Sequence, residues 1–191
     1  MAVQAEQNIS IEEYLAAERQ SEIKSEYWNG RMVAMSGASR SHNLIVVNIA
    51  SELRMQLKGR DCEVYAGDMR LRIPSTNFYT YPDVIVVCGQ PELEDSEMDT
   101  LLNPTLLVEV LSRSTEDYDR GRKSAYYRSL ESLSEYLLVP QDQRPVEQYL
   151  RQASDRWMLT QIDDRQAALH LSSIECELSL QEVYDKVPAS S

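Results

Sequence analysis

Apolar residues recur along this chain in three patterns, and each predicts a different kind of element. The segment LLVEVL, residues 106 to 111, has no polar face, which predicts a strand buried on both sides. VIVVC from Val84 and SEYLLVP around Tyr136 read the same way. CEVYAG and DMRLRIP alternate instead, placing Met69, Leu71 and Ile73 on one face of a strand and Arg70 and Arg72 on the other. Helical spacing governs HNLIVVNIASELRMQLK, from about Ser41 to Lys58. There Leu44, Val47, Ala50 or Ser51, and Leu53 or Met55 supply a broad apolar face, and Gly59 supplies the stop.

Local signals punctuate these segments. Ser10 and Glu13 have capping-box spacing and open a helix over IEEYLAAERQ. Asn29-Gly30 predicts a type I′ hairpin with Glu26 and Tyr27 on its first arm and Met32 to Met35 on its second. Gln90 to Asn103 is expected as a long, solvated acidic loop. A helix starting at Ser114 or Thr115 follows LLVEVLS and carries Asp119 and Lys123 on one face. PVEQYLRQ, RWMLTQI and ALHL predict an antiparallel meander with turns at QDQR, ASD and DDRQ, and Ser179 to Glu182 begins a terminal helix. The order gives one domain over residues 1–191: a short helix at 10–20, a core at about 25–150, and C-terminal strands and helix at 145–187. Its class is α/β (α+β), with a central mixed β-sheet flanked by helices.

Composition changes this picture in two places. The net charge of −12 argues against a general nucleic-acid coat protein, whose affinity comes from basic surface. It leaves room for an enzyme with a local basic groove or a carboxylate-bound metal. Cys62, Cys88 and Cys176 are odd in number and form no CxxC pattern, so neither a disulfide framework nor a zinc site is expected, in keeping with a reducing cytoplasm. No apolar run approaches the roughly 18 residues of a membrane span. MAVQAEQNIS lacks the basic and apolar regions of a secretory signal, so a cytoplasmic protein without membrane contact is expected.

The candidate chemistry starts from Glu109, the lone acid inside LLVEVL. An ionised carboxylate removed from water costs several kcal/mol unless something pairs with it. Glu109 is either half of a structural pair with an arginine such as Arg70 or Arg72, or part of a site. Asp83, after Pro82, either starts a strand or joins it. Lys123 lies four residues after Asp119, the spacing of an ordinary helical ion pair, yet it could also deliver an amine to Glu109. Glu26 is a site acid or a solvated one, and His42 either lines the start of its helix or faces the site. Tyr126 and Tyr127 read as packing; Arg70, Arg72, Arg120 and Arg122 are solvated charges or phosphate contacts.

Acids and a lysine in this arrangement are what phosphodiester hydrolysis with Mg²⁺ or Mn²⁺ requires. Hard cations take carboxylate oxygens and leave positions for water and phosphate, while a lysine orients water or meets developing negative charge. The chain has no Ser-His-Asp signature, no Walker-type loop and no GxGxxG.

Pro82-Asp83, Glu109 in LLVEVLS and the following STEDYDRGRK resemble a PD-(D/E)XK nuclease core. EYWNGRMVAMSGAS, His42, YPDVIVV, LLVEVLS, STEDYDRGRKSAYY and SEYLLVP, in that order, resemble a bacterial restriction-endonuclease-like family expanded in cyanobacteria. The resemblance spans nearly the whole chain. It implies a restriction-endonuclease-like fold, Mg²⁺ (or Mn²⁺) on Asp83 and Glu109, DNA as substrate, and a catalytic set of Glu26, Asp83, Glu109 and Lys123 with His42 in support. A homodimer would suit cutting both strands. One position departs from the pattern: the superfamily lysine follows the strand acid by two residues, and here that residue is Leu111. Lys123 must then supply the amine. If it does not, the chain is a non-catalytic nucleic-acid-binding or interaction protein on a degenerate nuclease fold. A hydrolase of smaller phosphoesters would use the same acids.

Overall fold

A computed structural model describes residues 8–112, 116–142, 145–153, 156–164 and 166–188. Helix α1 (Ile11–Glu18) opens on the expected capping box: Ser10 Oγ accepts from the Glu13 N–H, and the Glu13 carboxylate accepts from the Ser10 N–H. Strands β1 (Ser25–Trp28) and β2 (Arg31–Ala34) form the predicted hairpin, with positive φ at Asn29 and Gly30 as a type I′ turn demands.

Helix α2 (Arg40–Gln56) precedes β3 (Cys62–Ala66), β4 (Arg70–Ile73), a 3₁₀ turn, β5 (Phe78–Thr80) and β6 (Val84–Cys88). Then come β7 (Thr100–Leu101) and the central strand β8 (Leu106–Leu111). The start predicted at Ser114 or Thr115 lies outside the described residues. The next helix runs as α3 (Glu116–Tyr118), a π-helical turn (Asp119–Lys123) and α4 (Ser124–Arg128). Strands β9 (Glu135–Pro140), β10 (Val146–Ala153), β11 (Arg156–Ile162), β12 (Ala168–Leu171) and β13 (Cys176–Ser179) lead into α5 (Leu180–Val183). The turns QDQR, ASD and DDRQ lie partly outside the described residues.

A six-stranded mixed sheet, ordered β11-β10-β9-β8-β6-β3, is the centre of the molecule. Only β8 and β9 run parallel within it, which requires the crossover carried by residues 116–128. Even-numbered residues of β6 and β8 pack against α2 and the β12–β13 hairpin, in one core with Ile45, Ile49 and Leu53. Odd-numbered residues, among them Ile85, Leu107 and Leu111, pack with Leu71, Ile73 and Phe78 of a second sheet ordered β2-β1-β5-β4-β7. Glu109 belongs to this odd-numbered face, so the layer between the two sheets receives it.

Several expectations are corrected. The α2 face that is fully buried is Ile45, Ile49 and Leu53, spaced i, i+4, i+8; Val47 and Met55 point to solvent. ALHL does not extend the meander but pairs with β13 in a separate two-stranded sheet. Arg70 is buried, held by Asp99, Thr100 and Tyr81. The acidic segment at 90–103 is consequently pinned: β7 pairs with β4, Arg19 bonds Asp95 and Asp99, and Glu94 accepts from Arg72 and Tyr79. Glu94, Asp95 and Asp99 are met by these internal partners, while Glu92 and Glu97 stay exposed. Cys62 and Cys88 are joined by a disulfide because the β3–β6 register sets them opposite one another, whereas Cys176 is free and buried.

Candidate active site

The site is built where β6 and β8 run side by side. Their antiparallel register pairs Val84 with Val108, so the next position sets Asp83 opposite Glu109. Asp83 is fixed twice: its Oδ2 accepts the Val110 N–H at 2.7 Å, and its Oδ1 lies 3.2 Å from His42 Nε2. His42 reaches this point because Ser39 caps α2 by accepting the His42 N–H, aiming the first helical turn at the head of β6. Histidine and aspartate therefore form a pair across two elements, which puts His42 both at the helix start and beside Asp83.

Glu109 and Lys123 are both nearly sealed from solvent, at 5% and 4% exposure. Lys123 Nζ lies 2.9 Å from Glu109 Oε1, 3.3 Å from Glu26 Oε1 and 3.7 Å from Asp119 Oδ1. Tyr127, one turn beyond Lys123, donates its OH to the same Glu109 Oε1 at 2.6 Å. Both donors take Oε1, and Oε2 is the oxygen left for another partner. Glu26 is held in turn by Thr80 Oγ1 at 2.5 Å and by the Tyr118 OH at 3.0 Å.

One ammonium faces three carboxylates here, and the most enclosed acid bears the consequence. Burial pushes the Glu109 carboxyl up to about 8; Asp83 and Asp119 push it the same way, while Lys123 and the Tyr127 hydroxyl oppose them. Burial works against the Lys123 charge, but Glu109, Glu26 and Asp119 outweigh it and hold the amine firmly protonated. Burial raises the Tyr127 hydroxyl well above its ordinary range, and the Glu109 charge adds to this, so it remains a donor.

The five candidate site residues thus fall into two sets on neighbouring positions of β6 and β8: Lys123 touches Glu26 and Glu109, and Asp83, opposite Glu109, pairs with His42. Neither arginine proposed as a structural partner for Glu109 is its partner: Arg70 pairs with Asp99 and Arg72 with Glu94. Tyr127 is more than packing. Its position four residues after Lys123, on the same helical face, was the available signal. Tyr118 and Thr80 carried none, since a single hydroxyl shows nothing locally of the carboxylate it meets.

A divalent metal would find hard oxygen donors here but no ready cage. Among the described residues, no group of three His, Cys, Asp or Glu side chains is arranged to hold an ion. The Asp83–Glu109 pair suits Mg²⁺ nonetheless, because that ion usually keeps several waters and binds through one or two carboxylates plus substrate phosphate.

A mixed sheet with an acid at the head of β6 beside an acid inside β8, flanked by helices, is a restriction-endonuclease-like fold. The chain belongs to the family described as "Uma2: Putative restriction endonuclease", whose model matches residues 11–182. Two relatives from Synechocystis sp. are similar over almost their full length: "Uncharacterized protein sll1609" is 34% identical over 172 residues, covering 90% of this chain and 97% of that protein. "Uncharacterized protein slr1290" is 36% identical over 178 residues, covering 92% and 91%. A crystal structure from Anabaena variabilis, described as "a putative nuclease belonging to DUF820", shares the fold at a TM-score of 0.75 and 18% identity, covering 94% of this chain and 99% of that one. No helix of the described residues is long and apolar enough to cross a membrane.

Proposed function

We propose that this protein is a Mg²⁺- or Mn²⁺-dependent endonuclease that hydrolyses DNA phosphodiester bonds at the Asp83–Glu109–Lys123 site. The observation that carries this reading is the 2.9 Å approach of the Lys123 amine to Glu109, made from the crossover helix. It supplies from a helix the cation that Leu111 cannot supply from the strand. Membership of a restriction-endonuclease family supports the same reaction class.

Asp83 and Glu109 would hold the ion, which when bound lowers the pKa of a water and offsets charge on the phosphate. The remaining work falls to this chain's own groups. Val110 N–H and His42 aim the two Asp83 oxygens, so the acid meets its ligand without reorienting. Tyr127 holds Oε1 of Glu109 and thereby fixes the plane of that carboxyl. Lys123, kept cationic and immobile by Glu26 and Asp119, can orient the attacking water or donate to a phosphate oxygen as negative charge builds. Glu26 acts one step removed from the phosphate, as the anchor of that amine.

Nicking of supercoiled plasmid tests the reading. The wild-type chain should convert it to open circles with Mg²⁺ or Mn²⁺ and leave it intact with chelator. Asp83→Ala and Glu109→Ala should each lower the rate at least about a hundredfold, the scale on which acid–base and electrostatic groups act. Equal cutting by these variants would remove the site. Intact DNA with every metal would favour the non-catalytic alternative, and hydrolysis confined to small phosphodiesters would change the substrate class.

A further inference from the structure

We infer that Arg122, laid over Trp28, is a phosphate anchor beside the site, engaging a backbone phosphate that flanks the one cut. Four arginines are equivalent as phosphate contacts in the sequence, and the structure separates them. Arg70 is paired with Asp99, Arg72 with Glu94, and Arg120 with Glu116 and Glu147. Arg122 makes no ion pair among the described residues. It is exposed, and its guanidinium lies 4.9 Å from the centroid of the Trp28 ring.

The placement ties this cation to the site on both sides. Arg122 is the immediate neighbour of Lys123 in the π-helical turn, so the exposed and buried cations leave the same turn in different directions. Trp28 is two residues from Glu26 on β1 and therefore shares its face. Tyr126 stacks on Trp28 at 6.5 Å and packs on Phe78 at 5.3 Å, so the ring that carries Arg122 is itself packed against two further rings in series.

A guanidinium held over an indole face leaves N–H donors free at its edge, the group that suits a phosphate's paired oxygens. It has also lost rotamer freedom before any ligand arrives. In a chain of net charge −12, with Arg70, Arg72 and Arg120 matched to carboxylates, Arg122 held over Trp28 gives the approaching DNA backbone a local cation.

The inference rests on DNA being the substrate, and its test reads binding rather than cutting. Fluorescence anisotropy of a labelled duplex is measured with the full-length chain in chelator, across a salt series. Arg122→Ala should weaken binding about tenfold and reduce the slope of log K against log salt by about one. Arg122→Lys should retain the slope, because the charge is kept. Trp28→Leu should weaken binding at unchanged slope, since it frees the guanidinium without removing it. An Arg122→Ala protein that keeps the parent's affinity and slope overturns the anchor and leaves the nuclease reading untouched. A parent chain that binds no duplex at any salt overturns both.

Discussion

Lys123 reaches Glu109 across two elements, its ammonium 2.9 Å from the carboxylate, while Leu111, the residue two places along the same strand, is buried in the apolar layer between the sheets. Glu109 and Leu111 share a face of β8, so either position could present a side chain to this layer. The chain has an aliphatic group at the strand position and takes its cation from the crossover helix. The structural consequences of that exchange can be measured separately from activity.

Lys123→Met keeps most of the volume and leaves Glu26, Glu109 and Asp119 without their shared cation. Removing one partner of a buried ion pair costs about 3 kcal/mol or more. Urea denaturation should show that loss at neutral pH, with nicking abolished. A variant as stable as wild type would mean that water, not the amine, satisfies these acids.

The Glu109 carboxyl gives stability a pH signature. Its folded-state pKa of about 8 lies above the 4.5 of an exposed glutamate, so the folded chain holds the extra proton between those values. That contribution is complete below about 4.5 and is lost as pH rises through about 8, with a limiting slope of about 1.4 kcal/mol per pH unit. Glu109→Gln cannot lose this proton. Its stability relative to wild type should therefore climb between pH 5 and about pH 8 and level off above that in denaturant titrations; a flat difference would show Glu109 to be ionised throughout.

Tyr127→Phe retains the ring, which packs edge-on against Tyr136, and deletes only the hydroxyl. A hydrogen bond to a carboxyl that is mostly protonated at neutral pH contributes about 0.5–1.5 kcal/mol, so a loss in that range is expected from chemical denaturation. Nicking should slow with no change in its metal requirement. An unchanged rate and stability would return Tyr127 to a packing role.

Thiol titration tests the one covalent link that composition argued against. With Cys62 and Cys88 bridged, the unfolded, unreduced chain should show one reactive thiol, from Cys176, and three after reduction. Three thiols before reduction would refute the bridge.

What the sequence disclosed and withheld follows from the range of the forces involved. Glu109 stood out because one acid in an apolar run violates the pattern around it, and Asp83 because Pro82-Asp83 heads the preceding such run. Lys123 and Asp119 were legible as helical neighbours. Tyr127 was treated as packing, since nothing local distinguishes a hydroxyl that meets a carboxylate from one that meets water. The segment at 90–103 looked solvated because its partners, Arg19, Arg70 and Arg72, lie far upstream in the chain. The cysteine pairing was invisible for a similar reason: it is a product of the β3–β6 register, which no spacing rule supplies.

The most direct measurement is the crystal structure of the chain soaked in Mn²⁺, with anomalous diffraction locating the ion. The expected result is one strong peak in contact with the carboxylates of Asp83 and Glu109, with the Lys123 amine within reach of a water bound to it. No peak at Asp83 and Glu109, or manganese held only by other acids, would contradict the proposed site.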